Sequence, residues 1–233
     1  MKKALAQYWH ALLDLAYPDP CRACGTALLG NEEIICTKCR IGLPRTESHR
    51  IPVESLTLKF AGKVTVQNVY AFLKFERQGK VQRLLHQLKY NNQPEVGRLL
   101  GRLYGSELGE TGVGQRLDLM LPVPLHLLKQ AQRGYNQSDA FAEGLSQGLD
   151  VPWSNEVLVR SKFTETQTGK NRAERFENVA GIFEVTKPQL IENQRVAVVD
   201  DVMTTGSTLE SVIAELLQNK AASVTVITLA AAE

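Results

Sequence analysis

The sequence has few aromatic residues (6% of 233), only four cysteines and four histidines, and almost no net charge (+2). The near-balance of charge gives no global pull toward nucleic acid or an anionic membrane surface. No apolar run reaches the roughly 18 residues of a transmembrane helix, because Gln7, His10 and Asp14 interrupt the N-terminal stretch. That stretch opens with two lysines but has no A-x-A-like cleavage pattern, so secretion is not expected. Internal repeats, a G-x-S-x-G elbow and an H-E-x-x-H helix are also missing, which removes solenoids, α/β-hydrolase chemistry and zincin-type proteolysis. At 43% hydrophobic residues, what remains builds a cooperative core without staples, as one domain with an appendage or two small ones.

Along the chain, Leu5, Tyr8, Trp9, Leu12 and Leu13 share one helical face, and Pro18 and Pro20 end that helix. All four cysteines follow between positions 21 and 39. The β-branched and aromatic run from Ser55 to Phe75 reads as a hairpin turning at Ala61-Gly62. Two helical stripes come next: Val81, Leu84, Leu85 and Leu88, then Val96, Leu99, Leu100, Leu103 and Tyr104 behind a first-turn Pro94. From residue 117 strands and helices alternate. LDLMLPV (117–123) is a strand, 138–149 a helix, NEVLVRS and GIFEV short strands, RVAVVDD (195–201) a buried strand, 207–219 a helix and SVTVITLA a last strand. That alternation argues for an open parallel α/β sheet.

Two constellations carry chemistry. Cys21-x2-Cys24 and Cys36-x2-Cys39 place two pairs of sulfurs at knuckle spacing, with Gly25 free to take the tight turn. Four thiolates so arranged suit a structural Zn²⁺, with an iron–sulfur cluster as the alternative. A disulfide pair fits poorly without a secretory signal, and a redox site needs only one such motif. With no cysteine left over, a reducing cytoplasm is expected.

The second is the run from Val196 to Thr208, in which an apolar strand ends in Asp200-Asp201. The loop Thr204-Thr205-Gly206-Ser207-Thr208 then meets a helix, with Ser207 and Glu210 spaced as a capping box. Free amides at a helix start beside Gly206 form a nest for a phosphate-sized anion. Two carboxylates next to an anion nest match a ribose 5-phosphate, whose phosphate sits in the nest while its 2′- and 3′-hydroxyls donate to the acids. In the plainer reading the acids only stabilise a helix end by its dipole. That accounts for one acid and one serine, not for the whole loop at the carboxyl end of a strand, where open α/β sheets gather ligands.

VVDDVMTTGSTL resembles the phosphoribosyl-diphosphate (PRPP) motif of type I phosphoribosyltransferases. Together with the proline-stopped N-terminal helix, the four cysteines, His86-Gln87-Leu88-Lys89-Tyr90, Pro122-Val123-Pro124, Arg133-Gly134-Tyr135-Asn136-Gln137-Ser138 and Gln167 with Arg172, Arg175 and Asn178, the chain resembles the ComF/GntX family. The resemblance implies an α/β open parallel-sheet phosphoribosyltransferase (type I) fold with a small zinc-knuckle module. The module would occupy residues 1–50 and the phosphoribosyltransferase-like domain 51–233, with a hairpin and helical, hood-like part at 51–110 and the core sheet at 116–233. It further implies PRPP or a nucleotide as ligand, held with Mg²⁺ by Asp200, Asp201, the 204–208 loop, Pro124, Arg133, Asn136, Gln137, Gln167 and Arg172. Asp200, Asp201 and Arg133 would serve any phosphoribosyl transfer with diphosphate release. Residues 160–175, with five cations against two acids, stand where this fold carries a lid over the diphosphate.

No hood is expected after the last strand, which would leave the choice of an acceptor base to residues 40–110. The family's association with competence offers a non-catalytic alternative, a PRPP- or nucleotide-binding accessory to single-stranded DNA uptake with competence helicase-type partners. The basic helical face of Arg83, His86, Gln87 and Lys89 would then meet phosphates.

Overall fold

The computed structural model describes residues 19–160 and 182–232. The helix expected over 4–15, together with Gln167, Arg172, Arg175 and Asn178, lies outside them. No helix of the described residues is long and apolar enough to cross a membrane.

The cysteine segment folds around one short helix, α1 (Thr37–Ile41), and a second helical turn, α2 (Glu54–Thr57), precedes the first strand. The body then runs β1 (Asn68–Lys74), α3 (Lys80–Tyr90), α4 (Pro94–Glu110), β2 (Leu119–Pro122), α5 (Leu127–Arg133) and α6 (Gln137–Leu149). After the short strands β3 (Leu158–Arg160) and β4 (Phe183–Val185) it continues through β5 (Arg195–Met203), α7 (Ser207–Gln218) and β6 (Ser223–Ala231). Four strands form one sheet in the order β1–β6–β5–β2, and every pairing in it is parallel. β3 and β4 pair antiparallel beside it.

The apolar run of β5 is buried on both faces from Val196 to Val199, as parallel strands between helical layers require. On one face Phe72, Val199 and Ile227 join Leu84, Leu88, Leu100, Tyr104, Phe141 and the knuckle residues Cys21, Ile35 and Cys39 in one core. On the other, Val198 and Val226 meet Leu209, Val212, Ile213 and Leu216 of α7 with Leu56 and Phe60. The knuckle is stitched to β1 as well: Lys74 N donates to Pro44 O at 2.8 Å and Thr46 N to Phe72 O at 3.0 Å. At the far side, Met120 of β2 bridges to Trp153.

Two expectations need correction. Residues 55–75 form no hairpin, because Leu56 and Phe60, four apart, drop from a helical turn into the second core. Only Asn68–Lys74 is extended, and it pairs parallel with β6 as part of the core sheet. Its five consecutive buried residues mark a strand covered on both faces rather than a hairpin arm. The capping box at 207–210 also fails. Gly206, at φ 83°, is the residue that turns the chain into α7, and no side chain caps the helix from that position. Glu210 instead pairs with Lys63 at 3.1 Å.

Candidate functional site

Strand β5 carries Asp200 and Asp201 to the carboxyl end of the sheet, and the chain crosses 204–206 to the start of α7. Thr204, Thr205, Ser207 and Thr208 are exposed, whereas Gly206 is buried; a Cβ there would lie 3.4 Å from the Phe60 ring. The loop and the acid end of β5 enclose a small cleft of about 50 Å³ lined by Asp200, Val202 and residues 203–209. Pockets that swallow whole ligands run to about 300–1,000 Å³, so this cleft cradles one end of a ligand. The α7 start above it is free of a side-chain cap, apart from Ser207 N reaching the Thr205 hydroxyl at 3.5 Å. It therefore presents amide donors and the positive end of the helix dipole.

The two acids have different surroundings. Asp200 Oδ1 accepts from the Ser138 hydroxyl at 3.1 Å and from its neighbour's amide, Asp201 N, at 2.8 Å. Burial and the adjacent Asp201 charge nevertheless raise the Asp200 carboxyl to about 7. Asp201 turns its Oδ2 to Lys89 Nζ, 2.9 Å away on α3. Lys89 is thus not one of the solvated cations of a basic helix face, although Arg83 and His86 of that face are exposed.

The other expected residues lie on the segment after β2. Val123 N donates to Val199 O at 2.8 Å, which fixes the exit of the strand, and Pro124 follows half-buried. Asn136 is buried. Its Oδ1 caps α6 by accepting from Ser138 N at 3.3 Å, and its Nδ2 donates to Val123 O at 3.1 Å and to Asp139. Gln137 is buried too and accepts from Arg133 Nη1 at 2.8 Å. Asn136 and Gln137 therefore spend these groups on the protein, whereas Arg133 stays half-exposed with its guanidinium 5.4 Å from the Tyr90 ring centroid. Two participants went unread in the sequence as site residues, Ser138 and Lys89. Ser138 stood in the quoted motif; Lys89 stood on what reads as a polar face.

The four sulfurs of Cys21, Cys24, Cys36 and Cys39 all lie within 4.8 Å of one another. Cys24 and Cys36 stand 3.8 Å apart, about the edge of a tetrahedron built on Zn–S bonds of ~2.3 Å. Cys36 N donates to Cys21 Sγ at 3.2 Å, and Gly25 takes φ 81° at the knuckle turn. The Thr26 hydroxyl and amide hold the Cys24 thiol down at about 6, while burial pushes Cys39 up to about 12. All four are free thiols, three of them buried, and a divalent cation is what would let the buried ones ionise side by side. The donor set and its spacing fit zinc.

Residues 136–233 match the phosphoribosyl transferase domain family. Competence protein F of Haemophilus influenzae is 42% identical over 97 residues, which is 41% of this chain and 42% of that protein. Over this part of its length the chain is similar to ComF-type proteins and carries a match to the phosphoribosyl transferase domain. Its other relatives include DNA utilization protein YhgH of Escherichia coli K12, 36% identical over 109 residues (47% of each chain). Competence protein ComFC of Bacillus subtilis is 37% identical over 112 residues, 48% of this chain and 43% of that one. Each match spans less than half the length of the curated relative. A solved structure, the allosteric regulatory enzyme of purine biosynthesis, is 20% identical with a TM-score of 0.43, over 61% of this chain and 29% of its own. The family match begins at Asn136, the residue that opens α6, and includes both acids and the 204–208 loop.

Proposed function

We propose that the chain binds PRPP, or a nucleotide carrying ribose 5-phosphate, at the carboxyl end of β5. One observation carries the reading: two adjacent carboxylates open directly onto an exposed Thr/Ser loop at an uncapped helix start. The 5-phosphate accepts from the amides and hydroxyls of Thr204, Thr205, Gly206, Ser207 and Thr208. Asp200 and Asp201 accept from the ribose hydroxyls, with Ser138 fixing the orientation of Asp200. Arg133 and the segment at Pro124 face the diphosphate, and Asn136 and Gln137 hold that segment in place. The ligand's own phosphates would hold a Mg²⁺ ion, which would supply neutralisation of the diphosphate charge, since that ion is commonly bound by substrate phosphates and few protein groups. Zn²⁺ in the cysteine knuckle is structural.

Were the bound sugar to react, diphosphate would leave C1 and an acceptor base would take its place. No protein nucleophile is required, and the chain's contribution is to hold the two reactants in line. The names of the relatives favour a second reading in which the same site serves a non-catalytic role in competence and DNA utilisation, with single-stranded DNA and competence helicase-type proteins as partners.

Calorimetry with Mg²⁺·PRPP tests the site. Wild type should bind, and the Asp200→Asn/Asp201→Asn double variant should lose most of the affinity; equal binding by both would overturn the assignment. Assaying diphosphate release with a panel of nucleobases separates transfer from binding alone. Salt-dependent gel shifts with single-stranded DNA test the second reading.

A further inference from the structure

Helix α3 presents Arg83 and His86 to solvent, but its last turn folds Lys89 back onto the acid pair. The Lys89–Asp201 bridge spans 2.9 Å, with the side chains only 23% and 14% exposed. The same turn is tied down from the opposite direction. The Tyr135 hydroxyl donates to the Leu88 carbonyl, and the Arg133 guanidinium lies over the Tyr90 ring. Lys89 thus belongs to a turn that touches both the sugar-binding end of β5 and the segment assigned to the diphosphate. Its flexible stem and three rotatable donors let one ammonium serve either neighbour.

We propose that Lys89 is a latch of the sugar-phosphate site that changes partners as the ligand binds, and this rests on the PRPP reading above. In the ligand-free chain it neutralises Asp201. When the ribose hydroxyls take over that carboxylate, the ammonium swings to the diphosphate oxygens. The exchange leaves no half-buried charge without a partner at either stage, which is the costly alternative. A ligand without diphosphate, such as ribose 5-phosphate, breaks the bridge and gives Lys89 nothing in return. The latch therefore selects for diphosphate-bearing sugars, a positioning and specificity role distinct from that of the acids.

The test is calorimetry of the full zinc-loaded chain with Mg²⁺·PRPP and, separately, Mg²⁺ with ribose 5-phosphate. Lys89→Met should weaken PRPP by about ten- to hundredfold, the worth of a charge-assisted hydrogen bond. It should leave ribose 5-phosphate unchanged or tighter, and Lys89→Arg should restore the preference for PRPP. A Lys89→Met protein that binds PRPP like wild type overturns the latch, as does one that loses both ligands in the same proportion, which would mean Lys89 only props up Asp201. Should Lys89→Met fail to fold, Lys89→Gln gives the same comparison with a neutral donor. Wild type that binds neither ligand overturns the PRPP reading and the latch together, whereas the first two outcomes leave the PRPP reading standing.

Discussion

Helices α4 and α6 approach each other closely through facing glycines, and the contact makes a quantitative demand on one side chain. Glycines 97, 101 and 105 of α4 face Ala140, Gly144 and Gly148 of α6 across almost no gap. A Cβ built on Gly101 would stand 2.4 Å from Phe141 O, 2.8 Å from Leu145 N and 2.9 Å from Gly144 C, all backbone atoms of the other helix. Tolerable carbon contacts begin nearer 3.4 Å, so Gly101→Ala must push the helices apart by about 1 Å or bend one of them. Against this, alanine gains about 1 kcal/mol of helix propensity over glycine. Overpacking costs about 1–3 kcal/mol and more where backbone blocks the relief, so the net loss should be about 2 kcal/mol.

Gly109 is the built-in control. It lies on the same stripe, yet its added Cβ would meet only Gly148 O at 3.5 Å, so Gly109→Ala should gain about 0.5–1 kcal/mol. Thermal melts of the zinc-loaded chain should show Gly101→Ala lower by about 4–8 °C and Gly109→Ala slightly higher. If Gly101→Ala melts at or above wild type, the close-approach reasoning is wrong. The consequence reaches the site as well, because α6 starts at the residues that hold Val123 and Asp200, and displacing it should weaken PRPP in the same variant.

Three further outcomes follow from the site and the sheet. Asp200, raised to about 7 in the fold against about 3.9 unfolded, binds its proton more tightly when folded. It therefore favours the ligand-free fold below about pH 4 and loses that contribution as pH rises through 7. Asp200→Asn should flatten this slope and resist denaturant better than wild type at pH 8, as denaturation midpoints across pH 5–8 will show. Asp118 behaves oppositely. Arg195 donates to both its oxygens, Nη2 to Oδ1 at 2.6 Å and Nε to Oδ2 at 3.0 Å, and holds it at about 2, so its stabilisation is present above pH 4 and fades toward pH 2. The pair is partly exposed, and Asp118→Asn should cost under about 1 kcal/mol at pH 7 while removing part of the acid transition. Finally, Cys39→Ser should lower the bound zinc measured by atomic emission and the melting temperature together, since Cys39 sits in the same core as Phe72 and Leu100.

Much of this architecture was legible because its signals are local. The doubly buried strands of β5 and β6 show as near-continuous apolar runs, α7 as a spaced stripe, and the knuckle as a spacing of sulfurs. The acid pair and its loop are contiguous in the sequence, so the candidate site is read in one stretch. What escaped lacked a local pattern. Asn68–Lys74 reads equally as a hairpin arm or an interior strand, and only its partner β6, the last strand of the chain, decides between them. Helix α5 carries Leu127 and Leu128 on its exposed surface, so no buried stripe announces it; His126 Nδ1 opens it by accepting from Leu128 N at 3.2 Å. Lys89 looks like any solvated cation until the fold delivers Asp201 beside it.

The stitching of the knuckle to β1 has a further meaning for how the protein fails. An unpaired strand margin is a template on which another chain can add itself, and here both margins of the sheet are occupied, one by the Pro44–Thr46 tail and the other by Trp153. The tail runs directly out of the cysteine segment, which shares the core with β1. If the four cysteines hold a metal, stripping it should loosen the β1 margin and promote self-association, so that a chelator shows itself first as a rise in light scattering.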